Sequence, residues 1–356
     1  MRVLISGYYG FHNIGDEAIL KSIIIALRQE KPDIKITVLS NDIEHTKKTY
    51  NVDAINRWNI FKIYLELLKS DGLISGGGSL LQDVTSSRPI TYYTTIMKLA
   101  KLAKKPVFIY AQGVGPISEN KNKEAVKKIL NKVNYLTLRD KESLDLVKSI
   151  GVTKDIEIVP DPVMGFNIDG FESNICDKYN GLKYITVSVR DWDKANTNFL
   201  EKIAKSCDEI VSSGISVVFI PMHGEHDYKT SKKVVDMMNE KAEIFDYNAS
   251  IEEKILCIKN SKLMIGMRLH ALIFAATVNT PMIGISYDPK IDSFLDIVNQ
   301  PCIGSVDDNW SFNDLSNKAI KIMNDSVHIK SNLKINVDRL VNESRITAKK
   351  AIEIFG

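Results

Sequence analysis

The segment Met267-Arg268-Leu269-His270-Ala271-Leu272-Ile273-Phe274 sets a guanidinium and an imidazole two residues apart in an otherwise apolar stretch. A lone histidine in such surroundings is usually a satisfied core group. An unpaired buried charge is expensive, so the Arg268–His270 pair points instead to an anionic ligand met at a helix N-terminus. His270 is the candidate general acid. Leu136-Thr137-Leu138-Arg139-Asp140 places a second arginine at the end of a buried strand. Arg139 either pairs with Asp140 at the surface or emerges into a cleft, where its fork matches carboxylate and phosphate oxygens. Lys290, in Gly284-Ile285-Ser286-Tyr287-Asp288-Pro289-Lys290, is either a plain surface lysine or the third cation of one pocket.

Glycine-rich segments supply the second set of candidates. The first strand empties into Gly7-Tyr8-Tyr9-Gly10-Phe11-His12-Asn13-Ile14-Gly15-Asp16-Glu17. This is not GxGxxG, and carboxylates sit where a dinucleotide pyrophosphate would meet the helix. Asp16 and Glu17 either serve the helix dipole or, with Asn13, hold sugar hydroxyls, Asp16 being the candidate base. Ser75-Gly76-Gly77-Gly78-Ser79-Leu80-Leu81-Gln82-Asp83 and Ala111-Gln112-Gly113-Val114-Gly115-Pro116 each follow a strand. Consecutive glycines there mark a structural turn or the close approach of a ligand or another loop, with Gln82 and Gln112 as acceptor contacts. Pro221-Met222-His223-Gly224-Glu225-His226-Asp227 carries His-x-x-His, a weak metal signal without a third ligand; His223 contacting the acceptor fits as well. Trp58–Lys69 and Tyr92–Lys105 mix aromatics, aliphatics and lysines at helical spacing. Such helices pack on the core behind a solvated basic face, or touch an anionic membrane surface.

These residues need a scaffold, and the chain supplies a βαβα rhythm. Val3–Ser6, Lys35–Leu39, Gly72–Ser75, Val107–Tyr110, Tyr135–Leu138 and Ile156–Val159 read as strands, with a helix from about Asp16 to Glu30 after the first. After a polar pause near Gly165–Gly181 the rhythm resumes with Tyr184–Val189, Ser216–Ile220, Ala242–Phe245, Leu263–Gly266 and Met282–Ile285. The reading is α/β throughout: a domain over 1–168, a second over 169–330, and a C-terminal helix in 331–356, from about Val337 to Ile354, packing back on the first. Ligands collect at the carboxyl ends of strands in open sheets, so the expected site is a cleft between the domains.

The chain has 356 residues, roughly twice a typical domain. Hydrophobic residues are 44% and charged residues 26%, which excludes disorder. With 47 Lys and Arg against 44 Asp and Glu, the net charge of +3 gives no support for nucleic acid as a partner. The 4 cysteines form no CxxC pair, arguing against a zinc site or a disulfide framework. The apolar start is too short for a signal peptide, and Leu263–Val278 is too short and too charged to span a bilayer. The expected location is the cytoplasm.

Taken in order, these motifs resemble the polysaccharide pyruvyl transferase family, most closely its CsaB-type bacterial members. The resemblance runs from Asn13-Ile14-Gly15-Asp16-Glu17 through the triple glycine with Gln82-Asp83, Gln112-Gly113-Val114-Gly115-Pro116, Arg139-Asp140 and Pro160-Asp161-Pro162 to Arg268-Leu269-His270 and Ser286-Tyr287-Asp288-Pro289-Lys290. It implies two Rossmann-like domains facing a cleft, as in GT-B glycosyltransferases. It implies phosphoenolpyruvate as donor and co-substrate, with no cofactor and no metal. The acceptor it implies is an N-acetylmannosamine unit of a lipid-linked precursor of secondary cell-wall polysaccharide. The product would be a 4,6-linked pyruvate ketal, the anchor for S-layer proteins in cell-wall biogenesis. By motif position Arg139, Arg268 and His270 contact phosphoenolpyruvate, with Lys290 nearby, and a lipid-linked acceptor implies peripheral contact with the inner face of the plasma membrane. Two other readings stand beside it: a nucleotide-sugar-dependent GT-B glycosyltransferase, which needs an acidic ribose-binding residue in the second domain, and a non-catalytic glycolipid-binding protein.

Overall fold

Apolar β-branched runs become the inner strands of two parallel sheets, because a strand covered by helices on both faces must be apolar along its whole length. The computed structural model describes residues 1–84 and 86–356, which divide into two units: Met1–Gly165 with Leu340–Gly356, and Phe166–Arg339.

In unit 1 the strands are Arg2–Tyr9 (β1), Lys35–Ser40 (β2), Asp53–Asn56 (β3), Gly72–Ser75 (β4), Gly78–Leu81 (β5), Val107–Val114 (β6), Tyr135–Leu138 (β7) and Glu157–Ile158 (β8). Their order is β3-β2-β1-β4-β6-β7-β8, with β5 paired to β6, and every pairing is parallel. The helices are Ile14–Glu30 (α1), Ile43–Tyr50 (α2), Ile60–Lys69 (α3), Arg88–Leu102 (α4), Asn120–Leu130 (α5) and Lys141–Ser149 (α6). Leu4, Leu73, Ile96, Ile109 and Leu136 belong to the core beneath them. Each such fully buried side chain contributes roughly 1.5–3 kcal/mol.

Unit 2 repeats the plan with Tyr184–Ser188 (β9), Ser216–Phe219 (β10), Glu243–Ile244 (β11), Met264–Gly266 (β12), Met282–Ser286 (β13) and Cys302–Ser305 (β14) in the order β11-β10-β9-β12-β13-β14, again all parallel. Its helices are Phe199–Ser212 (α7), Gly224–Met237 (α8), Ile251–Asn260 (α9), Leu269–Thr277 (α10), Pro289–Val298 (α11) and Phe312–Asn324 (α12); a long helix, Ser326–Phe355 (α13), follows. The last residues of α13 belong to unit 1. There Lys350 Nζ donates to Glu157, which also accepts the Tyr135 hydroxyl at 2.6 Å, and the Phe355 ring fills the space a side chain at position 72 would need.

Several elements depart from the sequence reading, which includes neither β3 nor β14. β6 continues to Val114 instead of ending at Tyr110, because Ala111 adopts a left-handed φ of 47° and the strand carries on beyond it. Gln112-Gly113 is therefore buried strand, paired to β5 and β7, and not loop. The third glycine of the triplet opens β5. The final helix begins at Ser326, well before Val337.

Candidate active site

In unit 2 the strand order changes direction between β9 and β12, the point where a doubly wound sheet opens a crevice at its carboxyl edge. β12 leads through Met267-Arg268 into α10, whose start has no side-chain cap. Arg268 grips Asp227 with two nitrogens, Nε donating to Oδ2 at 2.9 Å and Nη2 to Oδ1. Asp227 is fully buried and also accepts the backbone N–H groups of Met222 at 3.2 Å and His223 at 3.0 Å. One carboxylate thus fixes both the start of α8 and the arginine. The Nη1 edge of Arg268 has no partner among the described residues.

Beside this pair, β9 is followed by Val189-Arg190-Asp191-Trp192. The Arg190 guanidinium lies 4.4 Å from the Tyr287 ring centroid and 5.0 Å from that of Trp192, and the two rings are 4.9 Å apart. The neighbouring carboxylate of Asp191 is taken by Lys233 at 2.7 Å, so it does not neutralise Arg190. His223 is half-buried, and burial, followed by the Arg268 charge, holds its pKa below the ordinary histidine value. Asp227 opposes these two, and His226 and Arg190 push further down. Lys290 Nζ lies 2.9 Å from Asp288 and 5.7 Å from the Tyr287 ring. His270 is the second residue of α10. At the end of β9 the buried hydroxyl of Ser188, in register with Gly266, has no hydrogen-bond partner among the described residues. An orphaned hydroxyl beside an uncapped helix start marks a place for an oxygen-rich ligand.

The corresponding switch in unit 1 lies between β1 and β4. Ser6 and Ser75 face each other in register there, and both hydroxyls are buried without a partner among the described residues. So are the Tyr9 hydroxyl and both amide atoms of Gln112. Asn13 caps α1, its side chain accepting from Gly15 at 3.1 Å. Asp16 lies in the first turn of that helix, next to Gly78. Burial first, then Asp16, raises the Tyr9 pKa well above the ordinary tyrosine value. Glu17 is committed to the fold: it accepts from Gly10 N–H at 2.8 Å and from the Tyr50 hydroxyl. Gln82 turns back on its own loop, accepting from Val84 N–H at 2.8 Å, and Asp83 caps the segment before α5. Arg139 is almost wholly enclosed and binds Asp161 at 3.2 Å, Asp140 at 3.4 Å and Ser79 at 3.0 Å.

The three expected cations therefore each carry a carboxylate: Arg139 with Asp161 and Asp140, Arg268 with Asp227, Lys290 with Asp288. Arg190 carries none among the described residues. It was legible in principle, because it follows the Tyr184–Val189 strand just as Arg139 follows Tyr135–Leu138. The His223 and His226 rings are 5.9 Å apart, and no group of three or more His, Cys, Asp or Glu among the described residues could hold a metal ion.

The sequence pattern of the family described as polysaccharide pyruvyl transferase matches residues 13–289, which include every polar residue just placed from Asn13 to Tyr287. The chain belongs to that family. This polysaccharide pyruvyl transferase is 24% identical over 355 aligned positions to the amylovoran biosynthesis protein AmsJ of Erwinia amylovora, covering 82% of this chain and 84% of that one. Among solved structures it is similar to Anabaena HepE in complex with UDP-glucose (TM-score 0.68, 11% identity, 99% of this chain and 100% of that one). It is also similar to the UDP-GlcNAc 2-epimerase of Neisseria meningitidis (0.66, 12%, 99% and 100%) and to heptosyltransferase II of E. coli (0.58, 13%, 92% and 100%). At these identities the likeness shows the fold, that of GT-B-like glycosyltransferases and epimerases. Among the described residues no helix is long and apolar enough to cross a membrane.

Proposed function

We propose that this polysaccharide pyruvyl transferase uses phosphoenolpyruvate to form a pyruvate ketal on a sugar diol, releasing phosphate. The observation that carries the reading is the set of cationic groups at the unit 2 switch point: Arg190, without a carboxylate among the described residues, the Nη1 edge of Arg268, likewise without a partner among them, and the uncapped start of α10. Phosphoenolpyruvate carries a phosphate and a carboxylate on three carbons, and planar guanidinium forks suit both groups. Lys290 and, on the strength of the motif, Arg139 are assigned to donor binding as well, each oriented by its carboxylate. Asn13, Gln112 and His223 are assigned to the acceptor.

His270 delivers a proton to C3 of the enol, leaving oxocarbenium character at C2. A sugar hydroxyl attacks C2 and gives its proton to a base, for which Asp16 is the candidate. The C2–O bond to phosphate breaks, phosphate leaves, and the second hydroxyl closes the ring with loss of its own proton. The acceptor we favour is the 4,6-diol of N-acetylmannosamine in a lipid-linked precursor, with the product serving S-layer anchoring. No cofactor is required by this sequence of steps.

A nucleotide-sugar transferase on the same fold is the alternative, since HepE is complexed with UDP-glucose. That chemistry needs a free carboxylate for a ribose. Near the unit 2 switch point, Asp227, Asp288 and Asp292 are engaged by Arg268, Lys290 and Ser286. Phosphate release from phosphoenolpyruvate, dependent on a saccharide acceptor and without consumption of any nucleotide sugar, is the expected outcome; turnover of a nucleotide sugar alone would overturn it.

A further inference from the structure

Helix α3 is apolar on two opposite faces. Ile63 and Leu67 point inward and are fully buried, as the core requires. Phe61, Leu65 and Leu68, spaced i, i+4, i+7, form a second stripe on the outside, with Ile60 and the preceding Trp58 at its end. Phe61 is 72% exposed and Trp58 61%, large values for such side chains. A helix with this pattern is ordinarily covered on both sides or laid on a lipid surface.

The charges on α3 choose between these. Lys62 and Lys69 are exposed beside the stripe and have no carboxylate partner among the described residues. The single acidic residue of the helix, Glu66, is turned away: Oε1 accepts from Arg2 at 3.1 Å and from the Thr37 hydroxyl at 2.9 Å. The outward face therefore presents apolar side chains and positive charge alone. The end of the stripe is also held rigid. The Arg57 guanidinium, buried, sits 4.5–5.8 Å from the ring centroids of Phe11, Trp58, Tyr92 and Tyr93 and donates to the Gly7 carbonyl at 3.0 Å. Trp58 is thus presented to solvent from a preformed aromatic cluster.

We infer that the outward face of α3, led by Trp58 and Phe61 and flanked by Lys62 and Lys69, docks unit 1 on an anionic lipid bilayer. Aromatic and aliphatic groups enter the headgroup boundary, and the lysines meet the lipid phosphates. This inference stands apart from the donor chemistry and survives if that reading fails.

Sedimentation of the full chain with vesicles tests it, using phosphatidylcholine alone or mixed with phosphatidylglycerol. Binding to the anionic vesicles, weakened by salt, is expected, together with a blue shift of Trp emission that Trp58→Ser abolishes. Lys62→Ala/Lys69→Ala lowers partitioning roughly 30-fold on anionic vesicles. Phe61→Ser/Leu65→Ser removes binding to the anionic vesicles, and far-UV circular dichroism confirms that these surface variants remain folded. Wild-type protein left in the supernatant, or binding indifferent to both double variants, overturns the inference. A concentration-dependent dimer abolished by Phe61→Ser/Leu65→Ser, without vesicle binding, would show that a second copy covers the face instead.

Discussion

Arg268 and Asp227, 41 residues apart in sequence, form a two-pronged pair in which the carboxylate is fully buried and one edge of the guanidinium has no partner among the described residues. Removing one partner of such a pair leaves an uncompensated charge. Asp227 also holds two backbone N–H groups at the start of α8, so it is the costlier member to lose. Asp227→Ala is expected to destabilise the protein by about 3–5 kcal/mol, and Arg268→Met by less. Urea midpoints for the two variants check the order; equal or reversed losses would contradict it.

Among the described residues, Arg190 is a cation of the unit 2 switch point that no carboxylate neutralises. Arg190→Ala is expected to weaken phosphoenolpyruvate binding about 10–100-fold, as loss of a charge-assisted contact does, and to leave the unfolding midpoint nearly unchanged. Arg190→Lys keeps the charge but not the stacked fork and recovers only part of the affinity. Calorimetric titration with phosphoenolpyruvate reads this directly, and unchanged affinity in Arg190→Ala removes the residue from the site.

His270 is assigned a proton transfer and not a binding role. His270→Ala should therefore keep donor affinity and lose about 10²–10⁴-fold in turnover. Wild-type turnover in that variant would end the general-acid assignment. A loss of affinity with turnover preserved at saturating donor would recast His270 as a ligand.

Gly76 is required by contact. A Cβ there would lie 2.1 Å from the Tyr9 hydroxyl, far inside van der Waals distance. Gly76→Ala is expected to cost about 1–3 kcal/mol through overpacking. Because the Tyr9 hydroxyl has no partner among the described residues, Tyr9→Phe should be nearly neutral alone and should partly rescue Gly76→Ala. Thermal melts of the double variant no better than the single one would refute this account of the glycine.

Lys254 is 1% exposed, with its ammonium donating to the carbonyls of Asp246 at 2.9 Å and Tyr247 at 3.2 Å. Burial pushes its pKa down to about 8. The unfolded chain, with an ordinary lysine, holds this proton to higher pH, so between about 8 and 10.4 the unfolded state binds more protons and folding becomes more favourable as pH rises. The gain is at most about 3 kcal/mol across that window. Lys254→Met should flatten the rise, which pH-dependent urea unfolding measures; the same slope in both proteins would exclude Lys254 as its source.

How much of this was legible in the sequence follows from burial. β1, β4, β6, β9 and β13 are buried through most of their length, so apolar residues dominate their sequences and the few polar ones lie toward their carboxyl ends or between apolar neighbours. β3 and β14 are edge strands of Asp53-Ala54-Ile55-Asn56 and Cys302-Ile303-Gly304-Ser305, too short and mixed to show a period. β5 hides behind glycines that read as a loop. In the site, Arg268 and His270 stood out because charge broke an apolar run. Asp227 did not, since it lies in Gly224-Glu225-His226-Asp227-Tyr228-Lys229, where every neighbour looks exposed and only the folded chain shows which carboxylate is buried. Arg190 was masked in the same way by Asp191, Asp193 and Lys194.

Ketal pyruvyl transfer from phosphoenolpyruvate is the reaction proposed for this protein. Its most direct test is product analysis after incubation with phosphoenolpyruvate and a synthetic lipid-linked N-acetylmannosamine disaccharide. Inorganic phosphate and a cyclic pyruvate ketal on the sugar are expected in equal amounts, abolished together by His270→Ala. Unchanged saccharide and no phosphate, while a supplied UDP-sugar is consumed, would contradict it.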